Sequence, residues 1–199
     1  AVLDTRDVTF GCKEKLDAAV AELMEEYQPP AVFLVTTCVV EIIGDDMDAM
    51  AQMYTKQYGI PFLSVHTEHF KCENHLRGIE RRMSACFEMM RPQEKNNTVN
   101  ILGQRMGRFE TTELYRILTE SGIKIGMQLP CGCSVEEIIQ APSAGVNLVL
   151  DETALPLARK MKEAFGTPYI RFERFIDPQR IWEAYQMLFD ALQRELPPQ

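Results

Sequence analysis

The chain has 199 residues, of which 46% are hydrophobic and 25% charged, and its formal net charge at pH 7 is -8. This length can hold one large or two small domains with a substantial core, and no apolar run reaches the roughly 20 residues that span a bilayer. The negative charge argues against a nucleic-acid surface, which requires clustered Lys and Arg side chains. We therefore expect a cytoplasmic globular protein that binds neither membrane nor nucleic acid. Its six cysteines are expected to be reduced thiols, metal ligands or core residues.

The first half of the chain alternates helical and strand patterns. Apolar residues at spacings of three and four predict helices, and short apolar runs predict strands that are buried on both faces of a parallel sheet. The predicted elements are a helix at 13–27, a strand at 31–35, a helix at 45–58 ending at Gly59, a strand at 61–65 and a helix at about 73–90. Cys86 lies in the apolar stripe of the last helix, which indicates a core residue.

A break follows at residues 91–97, which read RPQEKNN and combine a proline with polar residues and no apolar period. We place a domain boundary there, with a first domain at 1–92 and a second at 98–199.

The second domain repeats the alternation of strands and helices. The predicted elements are a strand at 98–102, a helix from Thr111 or Thr112 to Gly122, a strand at 123–129, a short helix begun by a Ser134–Glu137 capping box, a strand at 146–150, a helix at 152–165, a strand at 168–172 and a helix at 178–196. Strands separated by helices imply right-handed parallel crossovers. The fold class is therefore α/β, with two doubly wound Rossmann-like parallel-sheet domains.

Three cysteines are predicted on loops near the ends of these elements. Cys38 follows the first strand, at the edge where open α/β sheets bind their ligands, although it could also be a small packing residue. Cys72 follows the second strand and Cys12 precedes the first helix. Because the carboxyl ends of parallel strands meet at one edge, we expect Cys38 and Cys72 to be neighbours, with Cys12 nearby if the chain leading into it lies there. Thiols that converge from several loops are candidate metal ligands.

Cys131 and Cys133 flank Gly132 at the end of the strand at 123–129. Two thiols one residue apart are too close in sequence for a standard zinc site. A strand end before a helix is nevertheless a place where a cluster or an anion can approach backbone amides. Direct metal binding, loop packing and redox lability all stay open for this pair.

Residues 36–46 read TTCVVEIIGDD, which is very similar to the signature of nitrogenase component 1 proteins. This family includes the subunits of the molybdenum–iron protein, the scaffold proteins that build its cofactor, and related reductases that act on tetrapyrroles. Further segments resemble the family in the same order along the chain, at 7–11 (DVTFG), 61–67 (PFLSVHT), 99–103 (VNILG), 144–149 (AGVNLV) and 166–169 (GTPY). The resemblance thus covers nearly the whole chain.

The resemblance implies that Cys38 ligates an iron–sulfur cluster, of the 4Fe-4S type or larger, at or near the junction between two subunits. Cys12 and Cys72 fall where most members have glycine, and His69 falls where some have a polar residue beside the cluster. Either this branch has relocated its ligands to Cys12, Cys38, Cys72 and His69, or the extra thiols are incidental. Glu41 matches a family glutamate that either supports the Cys38 segment through hydrogen bonds or acts as an acid or base.

Asp151 stands where the catalytic subunits of the family have the cysteine that anchors the active-site metallocofactor. A carboxylate is a hard oxygen ligand that matches an iron–sulfide cluster poorly. This departure argues against reduction of dinitrogen. The site could hold a cofactor by other means, with Asp151, Cys131 and Cys133 as candidate contacts, or accept a tetrapyrrole macrocycle.

The family likeness implies an oxidoreductase subunit that takes electrons from an ATP-dependent iron–sulfur reductase protein. The electrons would pass through a cluster bound in part by Cys38 to a substrate other than dinitrogen. The alternative is a non-catalytic scaffold or carrier for a metallocluster or a tetrapyrrole. The subunit would form a homodimer, or a heterodimer with a related subunit. We also expect the sequence to be a fragment of a longer chain, since family members have sequence on both sides of these segments.

Overall fold

The computed structural model describes residues 11–67, 76–105, 108–172 and 177–196. The chain divides into two compact units, Ala1–Glu88 and Met89–Gln199. The segment 91–97 is bonded to the second unit, because the Arg91 and Asn96 backbone N–H groups donate to the carbonyls of Ile139 and Ser143. The domain limits of 1–92 and 98–199 stay a prediction. In the described ranges no helix is both long and apolar enough to cross a membrane.

The first unit pairs two parallel strands and packs helices against them. Its elements are α1 (Lys13–Glu26), β1 (Val32–Val35), α2 (Cys38–Ile43), α3 (Met47–Tyr58), β2 (Phe62–Val65) and α4 (Leu76–Ala85), followed by a 3₁₀ turn at Cys86–Met89. Val32 lies opposite Phe62 and Val35 opposite Val65. The core joins both strands to α1 and α3, and includes Val20, Leu34, Met47, Ala51 and Tyr54.

The second unit is a four-stranded parallel sheet with helices between its strands. Its elements are β3 (Thr98–Gln104), α5 (Glu113–Glu120), β4 (Lys124–Pro130), α6 (Val135–Gln140), β5 (Val146–Val149), α7 (Leu155–Phe165), β6 (Tyr169–Arg171) and α8 (Pro178–Ala191). The strand order is β4-β3-β5-β6, so the chain leaves β3 on one side and returns to pair with it on the other. Such a reversal opens a crevice at the carboxyl ends of β3 and β5, where doubly wound folds bind ligands. The predicted α/β, Rossmann-like fold class is confirmed.

Several predicted helix ends are confirmed by their caps. Gly59 ends α3 in the left-handed conformation. The Thr112 side chain caps α5, and Ser134 and Glu137 form the predicted capping box of α6. Cys86 is buried, as its place in the apolar stripe indicated.

Three predictions about element limits were wrong. Cys38 does not lie in a loop but is the first residue of α2, which Thr37 precedes in an extended conformation and Gly44 ends with a φ of 82°. The helix predicted at 73–90 gives way after Ala85 to a tighter 3₁₀ turn. The last helix stops at Ala191 because Gln193 adopts a φ of 53°, which a continuing α-helix does not allow.

A buried asparagine compensates for a bulge between β3 and β4. Val99 lies opposite Ile125 and Ile101 opposite Gln128, so β4 carries one extra residue where β3 carries only Asn100. The Asn100 side-chain oxygen accepts the Met127 N–H at 3.0 Å, which supplies a partner that the disrupted ladder lacks.

The nitrogen of the same amide ties β3 to β5 and to the segment before it. Asn100 Nδ2 donates to the Asn147 side-chain oxygen and to the Ala141 carbonyl, both at 2.8 Å. Gly126 is required beside this amide, because a Cβ there would lie 2.7 Å from the Asn100 oxygen. One buried side chain thus joins three strands.

Replacing Asn100 with leucine is expected to lower the free energy of unfolding of the second unit by about 3 kcal/mol, because a buried N–H and two buried oxygens lose their partner. The single tryptophan, Trp182, lies on α8 of this unit, so its fluorescence during urea unfolding measures the effect. Asn97→Leu is the matched control, because Asn97 is exposed and directly precedes β3. Equal unfolding midpoints for both variants would contradict this role of Asn100.

Candidate functional site

The Cys38 thiol lies beside the carboxyl ends of both strands of the first unit. Cys38 begins α2 three residues after the end of β1, and its side chain is partly exposed. Thr36 connects the two strand ends, because its backbone N–H donates to the Val65 carbonyl at 3.0 Å. Cys38 therefore occupies the sheet edge that the sequence predicted, although on a helix.

Glu41 links this helix to the loops after both strands. Its Oε1 accepts the Thr36 hydroxyl at 2.5 Å and lies 3.3 Å from the Thr67 hydroxyl. The Thr67 N–H in turn donates to the Thr36 hydroxyl oxygen at 3.0 Å, and Thr36 is buried. Because Glu41 lies one turn after Cys38, these bonds fix the segment that carries the thiol. Sequence analysis missed both threonines, since only the fold brings residues 36 and 67 together.

An apolar surface flanks Cys38. Val35, Val39 and Ile42 are 51%, 40% and 69% exposed. A spacing of three residues places Val39 and Ile42 on one face of α2, and Val35 is the last residue of β1. None of the six residues of α2 is buried, although four of them are valine or isoleucine. Contiguous exposed apolar side chains of this kind mark an interaction surface.

A second polar group, also missed by sequence analysis, lies at the end of β2. His66 Nε2 is 3.0 Å from Asp48 Oδ1, and the Ser64 hydroxyl donates to the same carboxylate oxygen. The hydrogen bonds from Ser64 and His66 hold the pKa of Asp48 below its usual range. The His66 carbonyl accepts a hydrogen bond from Arg81 at 3.1 Å, which ties α4 to this strand end.

Cys12 lies near the opposite end of α2 from Cys38. Its backbone N–H donates to Asp45 Oδ2 at 2.8 Å, and Asp45 follows Gly44, the residue that ends α2. The five steps of helical rise from Cys38 to Ile43 span about 7.5 Å, and Asp45 lies beyond that end of the helix. The Cys12 side chain is buried, whereas a thiol that binds a cluster at the protein surface has to be exposed. A role for Cys12 as a ligand stays a prediction.

Cys72 and His69 lie outside the described residues, so their predicted proximity to Cys38 is untested. Among the residues that the structure describes, no three His, Cys, Asp or Glu side chains are arranged to hold a metal ion. The described part of the first unit thus provides one partly exposed thiol, Cys38, supported by Glu41.

In the second unit, Asp151 lies at the crevice between β3 and β5. Its Oδ2 accepts a hydrogen bond from Arg105 at 2.9 Å, and its Oδ1 accepts the Thr153 N–H at 3.0 Å and the Thr153 hydroxyl at 2.5 Å. These bonds outweigh partial burial and hold the Asp151 pKa below its usual range. Both oxygens of the carboxylate are therefore occupied by protein donors.

A glycine bulge permits this arrangement. β3 carries an extra residue between the Leu102–Leu129 and Gln104–Pro130 pairs. Gly103 has a φ of 93°, and a Cβ there would lie 2.7 Å from the Asp151 Cβ and 2.8 Å from its backbone nitrogen. Only glycine allows the backbone of β3 to approach Asp151 this closely. Arg105, two residues on, then reaches the carboxylate.

Cys131 and Cys133 follow β4 at the same sheet edge. Cys131 is exposed, and its Sγ lies 3.8 Å from the Arg105 carbonyl oxygen. Burial, followed by the charges of Glu137 and Cys131, raises the pKa of Cys133 to about 11. Their predicted contact with a cofactor stays a prediction, as does that of Asp151.

Comparisons with known proteins identify the family. The family model for nitrogenase component 1 type oxidoreductases matches residues 1–199. The chain is 32% identical over 173 residues to the nitrogenase iron-molybdenum cofactor biosynthesis protein NifE of Rippkaea orientalis, covering 84% of this chain and 37% of that protein. It is 28% identical over 176 residues to the nitrogenase molybdenum-iron protein alpha chain of Clostridium pasteurianum, covering 83% and 32%. The chain therefore spans about a third of the length of these two curated relatives.

The fold agrees with this assignment. A solved structure of nitrogenase Cp1 at pH 6.5 superposes with a TM-score of 0.81 at 26% sequence identity, covering 96% of this chain and 38% of that one. Since the family model extends over the whole sequence and the backbone follows that of a nitrogenase chain, the protein belongs to the nitrogenase component 1 type oxidoreductases.

Proposed function

We propose that the full-length protein is an oxidoreductase subunit in which Cys38 is one ligand of an iron–sulfur cluster held at a subunit junction. The observation that carries this proposal is the combination of a partly exposed thiol with two exposed apolar side chains, Val39 and Ile42, on the same helix. Exposed apolar side chains beside a thiol favour a partner subunit on that face. Soft thiolates are the ligands that iron–sulfur clusters prefer.

One chain supplies too few ligands in its described part, which supports a site shared with a partner. Cys38 fits a cluster in chemistry and exposure, while further ligands would come from Cys12, from Cys72 or His69 outside the described residues, or from the partner subunit. The partner is an identical or a related chain. We expect the complex in the cytoplasm, where thiols stay reduced.

The residues around Cys38 would position the thiolate. The bond network of Thr36, Glu41 and Thr67 fixes the start of α2 against the ends of β1 and β2, so the thiol keeps one orientation. A covering partner would exclude water from the thiol through Val39 and Ile42. A cluster bound there supplies the one-electron chemistry, with electrons from an ATP-dependent iron–sulfur reductase protein. This geometry favours a supporting role for Glu41 over acid–base catalysis.

The residue at position 151 in the second unit favours a substrate other than dinitrogen. Asp151 stands where the resemblance places the cysteine that anchors a metallocofactor, and both of its oxygens are bonded to Arg105 and Thr153. Binding of a metal by Asp151 would break its ion pair with Arg105. A macrocycle or another organic substrate in the crevice requires no such ligand.

A non-catalytic scaffold or carrier for a metallocluster or tetrapyrrole is the second candidate. The matched NifE proteins are described as cofactor biosynthesis proteins, which favours this alternative. Electron transfer from an ATP-dependent reductase protein distinguishes the two functions. An enzyme subunit accepts electrons and turns over, whereas a carrier binds its cargo without turnover.

Substitution of Cys38 by alanine is expected to abolish most iron–sulfur loading, because the cluster loses a thiolate and its site. The full-length protein is loaded anaerobically with iron and sulfide, and iron content, optical absorption and EPR spectra are measured. Cys86→Ala is the matched control, since Cys86 is buried in the core and donates to the Arg82 carbonyl at 3.6 Å. Spectra and iron content that are unchanged by Cys38→Ala would rule out Cys38 as a ligand.

Replacing Ile42 with lysine is expected to weaken subunit association at least tenfold, because a charge is desolvated where an apolar side chain packed, which costs more than about 1.4 kcal/mol. The measurement is sedimentation of the full-length protein over a range of concentrations. Tyr27→Lys is the control, since Tyr27 is similarly exposed, at 66% against 69%, but lies beyond α1, away from α2. Equal association of both variants would show that the α2 face is not the interface.

A further inference from the structure

The proposed cluster site, built from the described residues of the first unit, uses no residue of the Cys131-Gly132-Cys133 segment, which belongs to the second unit. This segment follows β4 directly and precedes the capping box of α6. Its two ends are therefore fixed by a strand and a helix, while Cys131 and Gly132 are exposed and Cys133 is partly buried.

The two cysteines are separated by Gly132 alone, and the charge of Cys131 acts on Cys133. Residues two positions apart are separated by at most about 7 Å in a fully extended chain. The chain bends at Cys131 and at Gly132, and Gly132 has a φ of 86°. A bend shortens this separation towards the 4.4–6.8 Å between Cα atoms that disulfides span. Gly132 adopts this left-handed conformation without strain, because glycine has no Cβ.

The two thiols differ in their surroundings, and this difference decides which of them a small disulfide meets first. Cys131 is exposed, so a small reagent can approach its sulfur. Cys133 is partly buried, and burial and Glu137 raise its pKa to about 11, so it is a thiol at neutral pH. An exposed attacking sulfur next to a protected resolving thiol gives the reaction a fixed order.

We propose that Cys131 and Cys133 form a redox-active dithiol that exchanges with low-molecular-weight disulfides. The Cys131 thiolate attacks one sulfur of the small disulfide, whose S–S bond breaks, and the first small thiolate leaves and is protonated. Cys133 then loses its proton to solvent and attacks the Cys131 sulfur, which forms the internal disulfide and expels the second small thiol. The protein loses two electrons and two protons, and the small disulfide becomes two thiols.

Oxidation of this pair alters the contact with the neighbouring crevice. The Cys131 thiol donates to the Arg105 carbonyl, and the Arg105 side chain pairs with Asp151. In the disulfide Cys131 has no S–H to donate, so this contact is lost. The site therefore connects the thiol redox state to the end of β3, independently of any cluster at Cys38.

The test uses the full-length protein without cluster loading, incubated with defined ratios of oxidised and reduced glutathione. Free thiols are alkylated, and the peptides are identified by mass spectrometry. We expect a reversible Cys131–Cys133 disulfide. The variant Cys133→Ala should stop at a glutathione adduct on Cys131, and Cys131→Ala should slow oxidation of Cys133 at least tenfold. Cys86→Ala, which changes a buried core cysteine, should leave the reaction unchanged.

Three results would overturn the proposal. The first is a wild-type protein in which the glutathione adduct on Cys131 persists without an internal disulfide. The second is a disulfide that maps to a different pair of cysteines. The third is a pair of thiols that stays reduced at every ratio of oxidised to reduced glutathione.

Discussion

The buried Asn100 amide fixes the geometry on which the carboxyl edge of the second unit depends. It satisfies the Met127 N–H at the β4 bulge and bonds to Asn147 directly across from it on β5. Without these bonds, the bulge would leave a buried donor unpaired in a sheet whose central strands are fully covered. The bulge changes the alignment of β4 with β3, and the second irregularity, at Gly103, shifts it again. Together they determine which residues emerge at the crevice.

In the first unit, a carboxylate rather than an amide joins segments that are distant in sequence. Glu41 accepts from Thr36 and approaches Thr67, so a helix of six residues is tied to the ends of two strands, and Val40 packs against the core beside them. A helix this short gains little from its own hydrogen bonds and depends on such tertiary contacts. These contacts fix the helix that begins at Cys38, although the Cys38 side chain itself is partly exposed.

Local signals predicted most of the fold, whereas the contacts that build the sites escaped sequence analysis. The caps at Gly59 and Thr112 and the Ser134–Glu137 box act within four residues, so they are visible in the sequence. The Thr36–Thr67 bond joins residues 31 positions apart, and the Asn100–Asn147 bond joins residues 47 positions apart. No local sequence pattern predicts either bond. The valines and isoleucines of α2 have strand propensity, but the bonds of Glu41 and the left-handed Gly44 favour a helix.

The position after β5 illustrates how a single residue changes the chemistry that a crevice can support. A thiol there would offer a soft ligand and would form no ion pair with Arg105. Asp151 instead balances the charge of Arg105 and bonds to the backbone of Thr153, while the bulge at Gly103 brings β3 against it. A metal ion at this carboxylate would compete with the guanidinium of Arg105 for the Asp151 oxygens and weaken a partly buried ion pair. At the end of β5 the crevice therefore presents a paired charge where a cysteine would present a soft ligand.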